Sequence, residues 1–353
     1  MRKNVRKALL LFCCCLCVIA TGSLFAEQHS SEEAVQIVSE KTLIPGGQSV
    51  GIRMDVRGVL VVGLEEIETT SGTSSPGYEA GIQIGDMIVA IDGQEVYYAD
   101  EVISMIDAAR GPILISVSRK GQQLDFTVTP VREYQSGAYK MGIWVKEKIA
   151  GIGTLSFYDP ETDVLAALGH GIYESKTGAL LSVGSGQLLT TAVSSIREGE
   201  AGKPGEIRGI FYDEDSPVGQ VAENSEFGVY STALDIASLD LGEPMVMAYQ
   251  SQVREGPASI LTTIDGRNVE EFSVEITDVN RQKEAGSKGL TLKVTDERLF
   301  SYCGGIVQGM SGSPIIQNDK LVGAVTHVFV NDPTRGYGIF AEWMVEKGRE
   351  IAQ

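Results

Sequence analysis

Residues 309–316 read Gly309-Met310-Ser311-Gly312-Ser313-Pro314-Ile315-Ile316 and continue as QNDKLVGAVTHV through Val328. One serine, Ser311, is enclosed by Gly309, Gly312 and Pro314, and the run that follows turns at Asn318-Asp319 before a second apolar run. The spacing predicts a β-hairpin entered through a tight turn. Acyl transfer to water develops an oxyanion, and backbone N–H donors must already aim at it. A turn of this kind lets the N–H groups of Gly309 and Ser311 converge on one point, because glycine at 309 tolerates a backbone that a Cβ would obstruct. Ser313 is a poorer nucleophile, since its spacing from Gly309 misplaces those donors. The G-x-S-x-G elbow of α/β-hydrolases is not matched, because Ser313 stands where its last glycine would be.

A serine hydroxyl is a weak nucleophile until a neighbouring base takes its proton. The chain has three histidines, His29, His170 and His327. His29 falls in a polar stretch near the N-terminus. His327 alternates with apolar neighbours in AVTHVFV and reads as a structural strand residue. His170 is held between Gly169 and Gly171, where the second strand of a hairpin turning at Asp159-Pro160-Glu161 ends. The triad logic also asks for a carboxylate to orient the imidazole. Acids include Asp159, Asp163, Asp213, Asp235, Asp278 and Asp296. A turn of this type resembles the nucleophile loop of chymotrypsin-like serine peptidases, whose order of His, Asp and Ser confines the choice to acids between 170 and 311. Asp296 lies on a strand pattern shortly before the serine. A Ser–Lys dyad is the competing chemistry, with Lys320 as the nearest downstream lysine.

The 353 residues exceed one domain's usual ~100–200, so two folded units behind a leader are expected. With 29 Lys and Arg against 47 Asp and Glu, a net charge of -18 repels phosphate backbones and argues against nucleic acid as a partner. Stretches alternating Val, Ile, Thr and Gly, with 41 glycines in all, read as a mainly β protein. Residues 1–26 join a basic start, MRKNVRK, to the apolar run ALLLFCCCLCVIA and small residues before Ala26, the pattern of a signal peptide or a membrane anchor. The body is therefore expected outside the cytoplasm. Four of the five cysteines fall in that run, which leaves Cys303 without an internal disulfide partner and excludes a CxxC metal or redox site.

Residues 27–49 are polar and end in Pro45-Gly46-Gly47, as a linker would. Between 50 and 131 come strand patterns, turns at Gly85-Asp86 and Asp92-Gly93, a helical pattern in ADEVISMIDAARG and a closing hairpin. Ala80, Gly81, Gly85, Asp86, Ile88, Ile91 and Gly93 stand in the spacing A-G-x-x-x-G-D-x-I-x-x-I-x-G. This run resembles the PDZ domains of bacteria, which bind an extended peptide by adding it as a strand to a sheet edge. By that resemblance Arg57, Gly58, Val59, Leu60 and Val61 form the peptide-receiving loop. The segment departs from the common Leu-Gly-Phe carboxylate pattern, which points to an internal segment or a membrane-associated partner as the ligand. Residues 132–353 form the peptidase unit.

The leader, the PDZ run, ALGHGIY and GGIVQGMSGSPIIQNDKLVGAVTHVFVNDPTRGYGIF together resemble the stage IV sporulation protein B family of signalling serine peptidases. The resemblance implies a chymotrypsin-like β-barrel peptidase with His170 as general base, Asp296 as its orienting carboxylate and Ser311 as nucleophile, and with no metal and no cofactor. It further implies a membrane-anchored enzyme in the space between the two forespore membranes. Such an enzyme cleaves itself and then the extracytoplasmic part of a regulator of an intramembrane protease, which triggers pro-sigma-K processing, and an inhibitory protein partner is also possible. A non-catalytic PDZ adaptor would lack His170 or Ser311, and neither is missing.

Overall fold

The computed structural model describes residues 40–174, 178–212 and 215–352. The leader, with its cleavage or anchoring pattern and its four cysteines, lies outside these residues. No described helix is long and apolar enough to cross a membrane.

Two closed antiparallel barrels carry the molecule. In the first, the strand Ile143–Asp159 pairs with Ser49–Leu64, which pairs with Val183–Arg197; Gly219–Ser225, Gly228–Ala233 and Val164–Ala167 complete the circuit back to Ile143–Asp159. The second runs through Gly256–Asp265, Asn268–Val279, Leu290–Val294, Asp332–Phe340, Lys320–Phe329 and Pro314–Gln317, and closes on Gly256–Asp265. Alternating side chains fill each interior, as strand geometry requires. Val50, Ile52, Met54, Leu165 and Leu188 pack in the first barrel, and Ile260, Phe272, Ile276, Leu292 and Ile315 in the second. The C-terminal helix Ala341–Ile351 places Met344 and Val345 on a third cluster with Leu43, Phe157, Tyr230 and Leu321.

The PDZ fold is built by strands Met87–Ile91, Ile113–Arg119 and Gln122–Val128, the short helix Pro76–Ala80 and the helix Ala99–Ala108. The Gly85-Asp86 signal has a direct physical basis. Asp86 is buried, accepts from the Gln83 N–H at 2.8 Å, and takes a two-pronged guanidinium from Arg119 at 2.6 and 2.7 Å. Asp92 and Gly93 both have positive φ, at 50° and 77°, as the expected hairpin turn demands.

The domain boundaries differ from the sequence reading. Residues 42–45 and 49–56, expected in a linker and at the start of the PDZ domain, are strands of the peptidase. Thr42–Pro45 pairs with the strand Ile143–Asp159 and with Met245–Met247, and the buried Lys41 ammonium holds Asp159 at 2.6 Å. The PDZ domain is thus inserted into the first barrel rather than placed before it. Ser49–Leu64 leaves the barrel as one unbroken strand, and Ile143–Asp159 returns beside it, from Leu64 opposite Ile143 to Ser49 opposite Thr154. Composition could not reveal this, because a 16-residue strand that serves two cores shows one continuous pattern across the boundary.

Candidate active site

Ser311 follows a loop fixed from both sides. Gly309 and Gly312 have φ of 103° and 100°, a region that L side chains avoid. A Cβ on Gly312 would fall 2.0 Å from the Thr154 carbonyl oxygen and 2.6 Å from the Leu168 nitrogen, so the approach of the two barrels requires glycine there. Thr154, on the return strand of the first barrel, donates its N–H to the Ser311 carbonyl at 2.9 Å and its hydroxyl to the Gly309 carbonyl at 2.8 Å. Gly312 N–H donates to the Val325 carbonyl at 2.7 Å. Among the described residues, the N–H groups of Gly309 and Ser311 donate to no acceptor and so are available for an oxyanion.

His170 comes from the first barrel. The strand Val164–Ala167 ends in Leu168, whose φ of 71° is uncommon for a branched residue and is held by packing of its side chain in the barrel core. Gly169, with φ of 67°, completes the turn and lies against Thr326 and Val325 of the second barrel. The chain beyond His170 is clamped by the buried Asn224. Its side-chain oxygen accepts from the Ile172 N–H, and its amide donates to the Ile172 and Leu181 carbonyls, each at 2.8 Å. Nothing in the sequence singled out Asn224 or Thr154, because each acts on a backbone distant in sequence.

The half-buried His170 ring has Nδ1 at 2.8 Å from the Gly171 carbonyl. Nδ1 carries the proton in that bond, which leaves Nε2 as the lone-pair nitrogen for a serine proton. Burial lowers the His170 pKa, and the Gly171 bond only partly offsets it, so the ring is neutral near pH 7. Ser311 is half-buried, and its hydroxyl donates to the Thr326 carbonyl at 2.6 Å. The next residue, His327, stacks on His170 with ring centroids 4.6 Å apart. The structure therefore brings His170, Ser311 and His327 to one place, where the two barrels meet.

Asp296 is not part of this group. It is the N-cap of the helix Glu297–Cys303 in the second barrel, and its carboxylate accepts from the Arg298 N–H at 2.9 Å, from the Arg298 guanidinium at 3.1 and 3.2 Å, and from the Ser273 N–H at 3.3 Å. The Arg298 guanidinium holds its pKa below the ordinary carboxylate range. None of its hydrogen bonds reaches His170, and the expected Asp296–His170 pairing is corrected accordingly. The reason is local: Asp ranks among the best N-cap residues, and an arginine two positions on completes the arrangement. The hydrogen-bond partner of His170 Nδ1 is the Gly171 carbonyl. Asp159 and Asp163 are also committed elsewhere, to Lys41 and to the Tyr158 hydroxyl.

Two further candidates resolve simply. Cys303 is buried, and desolvation pushes its thiol up to about 12, which makes it an inert core residue. Lys320 sits beside the Asn318-Asp319 turn, six residues and so ~20 Å of strand from Thr326. No group of three or more metal-binding side chains occurs among the described residues.

The expected peptide-receiving segment takes another form than a loop. Gly58, Val59, Leu60 and Val61 lie inside the strand Ser49–Leu64, as does Arg57, whose side chain is outside the described residues. Val59 and Leu60 pair with Ile88 and Met87 on one side, while Leu60 and Val61 pair with Lys146 and Val145 on the other. Val59, Leu60 and Val61 are thus already held within a ladder.

Two six-stranded barrels, with a serine from one and a histidine from the other at their junction and a PDZ fold inserted in the first, define a PDZ-containing serine peptidase of the chymotrypsin-like class. The chain belongs to the SpoIVB peptidase S55 family, which matches residues 137–345, and a PDZ domain family matches residues 69–119. Curated relatives include a putative zinc metalloprotease of Vibrio cholerae, 27% identical over 132 residues that cover 37% of this chain and 27% of the relative. Another of that description from Lactococcus lactis is 31% identical over 102 residues, 27% of this chain and 23% of the relative. The chain thus spans about a quarter of the length of these relatives. Among solved structures, the active form of the Rv3671c protease of M. tuberculosis is similar at 15% identity and TM-score 0.33, over 57% of this chain and 74% of that one. The PDZ domain of the SdrC-like protein of Listeria monocytogenes is similar at 19% identity and TM-score 0.21, over 25% of this chain and 87% of that one.

Proposed function

We propose that the protein is an exported endopeptidase of sporulation signalling in which Ser311 and His170 carry the chemistry. The observation that supports the catalytic part is the meeting of Ser311, His170 and the two free N–H groups of Gly309 and Ser311 at the barrel junction. For reaction the Ser311 hydroxyl leaves the Thr326 carbonyl and takes His170 Nε2 as its proton acceptor. Attack of Oγ on a scissile carbonyl then forms the C–O bond as its proton passes to Nε2, and the oxyanion is received by the Gly309 and Ser311 N–H groups. His170 returns the proton to the leaving amine as the C–N bond breaks. Water, activated by the same nitrogen, hydrolyses the acyl-enzyme.

Family membership and the leader pattern support the finer reading: a membrane-associated enzyme between the two forespore membranes, whose substrates are its own N-terminal region and a regulator of an intramembrane protease. The chemistry is tested with a fluorophosphonate probe. Labelling and self-cleavage in the parent, and loss of both in Ser311→Ala and His170→Ala, are expected. Labelling that survives His170→Ala would overturn His170 as base. The signalling role is tested by replacing the gene with the Ser311→Ala form in the sporulating cell. Pro-sigma-K processing should stop, and unchanged processing would reject that role.

A further inference from the structure

Beside His327 the second barrel carries a stack of two cations and two aromatic rings. The Lys288 ammonium lies 5.0 Å over the Tyr337 ring, the Tyr337 and Phe329 rings are 4.5 Å apart, and the Arg335 guanidinium lies 5.2 Å over Phe329. Sheet register brings these residues together. Val325 pairs with Gly338 and Val328 with Gly336, so Thr326 and His327 both stand opposite Tyr337, and a bulge of this kind re-aims side chains. The Thr326 hydroxyl donates to the Ser287 carbonyl at 2.9 Å, which ties the residue before Lys288 to the same strand. The stack adjoins the nucleophile: the Thr326 carbonyl holds the Ser311 hydroxyl, His327 lies on His170, and Phe329 follows His327 by two residues, ~7 Å of strand.

Neither cation is matched by an acid. Among the described residues, Lys288 and Arg335 enter no ion pair and no side-chain hydrogen bond, although Asp and Glu outnumber Lys and Arg by 47 to 29 in the chain. Lys288 is exposed and Arg335 half-buried, so both can meet a ligand from solvent. The ring faces already hold the two charged heads, which lowers the ordering cost of binding a carboxylate. A source of carboxylates precedes the first described strand: residues 27–39, EQHSSEEAVQIVS, contain Glu27, Glu32 and Glu33 and neither Lys nor Arg. Charge complementarity therefore favours this segment on the stack.

We propose that Lys288 and Arg335, backed by Tyr337 and Phe329, form a subsite that recognises the glutamates of the chain's own residues 27–39 and so directs self-cleavage to bonds near them. The directing part rests on Ser311 being the nucleophile of a self-cleaving peptidase; the recognition part rests on charge and geometry alone. Arg335 offers a carboxylate a fork of two N–H donors, and Lys288 offers a point charge. The subsite thus selects for acidic side chains a few residues from the scissile bond, and amides in their place make a poor substrate.

Recognition is tested by fluorescence anisotropy with a dye-labelled peptide of residues 27–39. The receptor is the full chain carrying Ser311→Ala, so that nothing is cleaved, and Glu27→Gln, Glu32→Gln and Glu33→Gln, so that its own segment does not compete. The peptide should bind, and about tenfold more weakly when its glutamates become glutamines or when the receptor also carries Lys288→Gln and Arg335→Gln. Added salt should weaken it as well. Lys288→Glu with Arg335→Glu should lose the acidic peptide and gain one with lysine at the three glutamate positions, a gain that a misfolded receptor could not show. No binding, equal binding of the glutamate and glutamine peptides, or binding indifferent to the two substitutions overturns the subsite. In the chain with Ser311 intact, self-cleavage should slow about tenfold with Lys288→Glu and Arg335→Glu, and recover when Glu27→Lys, Glu32→Lys and Glu33→Lys are added. Recognition with unchanged self-cleavage overturns the directing role. Should the parent neither label with fluorophosphonate nor cleave itself, the proposed nucleophile is at fault, while anisotropy still decides the subsite.

Discussion

The rings of His170 and His327 lie 4.6 Å apart, tilted by 33°, although 157 residues of sequence separate them. Their titrations are coupled by this contact. Desolvation first, and then the charges of His170 and Lys288, push the His327 pKa down to about 4, while burial lowers that of His170. Both folded values lie below the unfolded value of ~6.5, so the unfolded chain takes up these protons first as pH falls. The stabilisation is complete above ~6.5 and is lost progressively towards 4. Thermal midpoints measured from pH 7.5 to 4 should fall across that window, and the fall should shrink in His170→Ala. Nuclear magnetic resonance of the imidazole carbons should show the His327 pKa rising when His170 is replaced.

Asp296 separates two mechanisms. As a helix cap bound to Arg298 and Ser273, it should be replaceable by Asn, which caps equally well, with labelling within a few-fold of the parent. Asp296→Ala should cost about 1 kcal/mol of stability, typical of a lost cap. A triad carboxylate would behave differently, since its Asn variant loses on the order of 10⁴-fold in kcat. Comparing kcat and chemical denaturation for the two variants decides between them.

Thr154→Val keeps the side-chain shape and removes the donor to the Gly309 carbonyl. Leaving that carbonyl unbonded should cost about 1–2 kcal/mol, and because the bond positions the oxyanion donors, the labelling rate should fall about tenfold. Thr154→Ser restores the hydroxyl and should recover most of the rate. If Val and Ser variants label alike, the hydroxyl does not position the loop.

Asn224→Leu strands two backbone groups, the Ile172 N–H and the Leu181 carbonyl, while the Ile172 carbonyl keeps the Leu181 N–H at 3.0 Å. A loss of about 2–4 kcal/mol is expected from buried polar groups left without partners. Hydrogen exchange should rise at Ile172 and Leu181 before it rises in the second barrel. Uniform exchange across both barrels would count against a local clamp.

The insertion of the PDZ domain changes how its removal must be tested. Deleting residues 50–131 removes Val50 through Val56, nearly all of one strand's share of the first barrel, and so destroys the peptidase along with the PDZ fold. Joining residue 56 to residue 148 with a short glycine turn preserves the paired ends, since Asp55 lies opposite Lys148. A folded, labelling-competent product is expected from that shorter chain. Its circular dichroism and probe labelling are the measurements.

Much of this protein was written in local sequence. Turn chemistry at Asp92-Gly93 and Asn318-Asp319, the Gly85-Asp86 signal and the glycines around Ser311 act within a few residues, where backbone preference decides conformation. The PDZ run, the β-rich body and the tight turn at Ser311 were legible for that reason. What the sequence did not disclose depends on long-range contact. The acid expected to orient His170 was chosen by chain order, whereas its real partners, Arg298 and Ser273, were set by the start of a helix. The insertion of one domain into the other, the clamp by Asn224 and the stacking of His327 on His170 arise only when segments remote in sequence share a hydrogen-bond ladder or a core. Local preference shapes each strand and turn; barrel closure decides which of them meet.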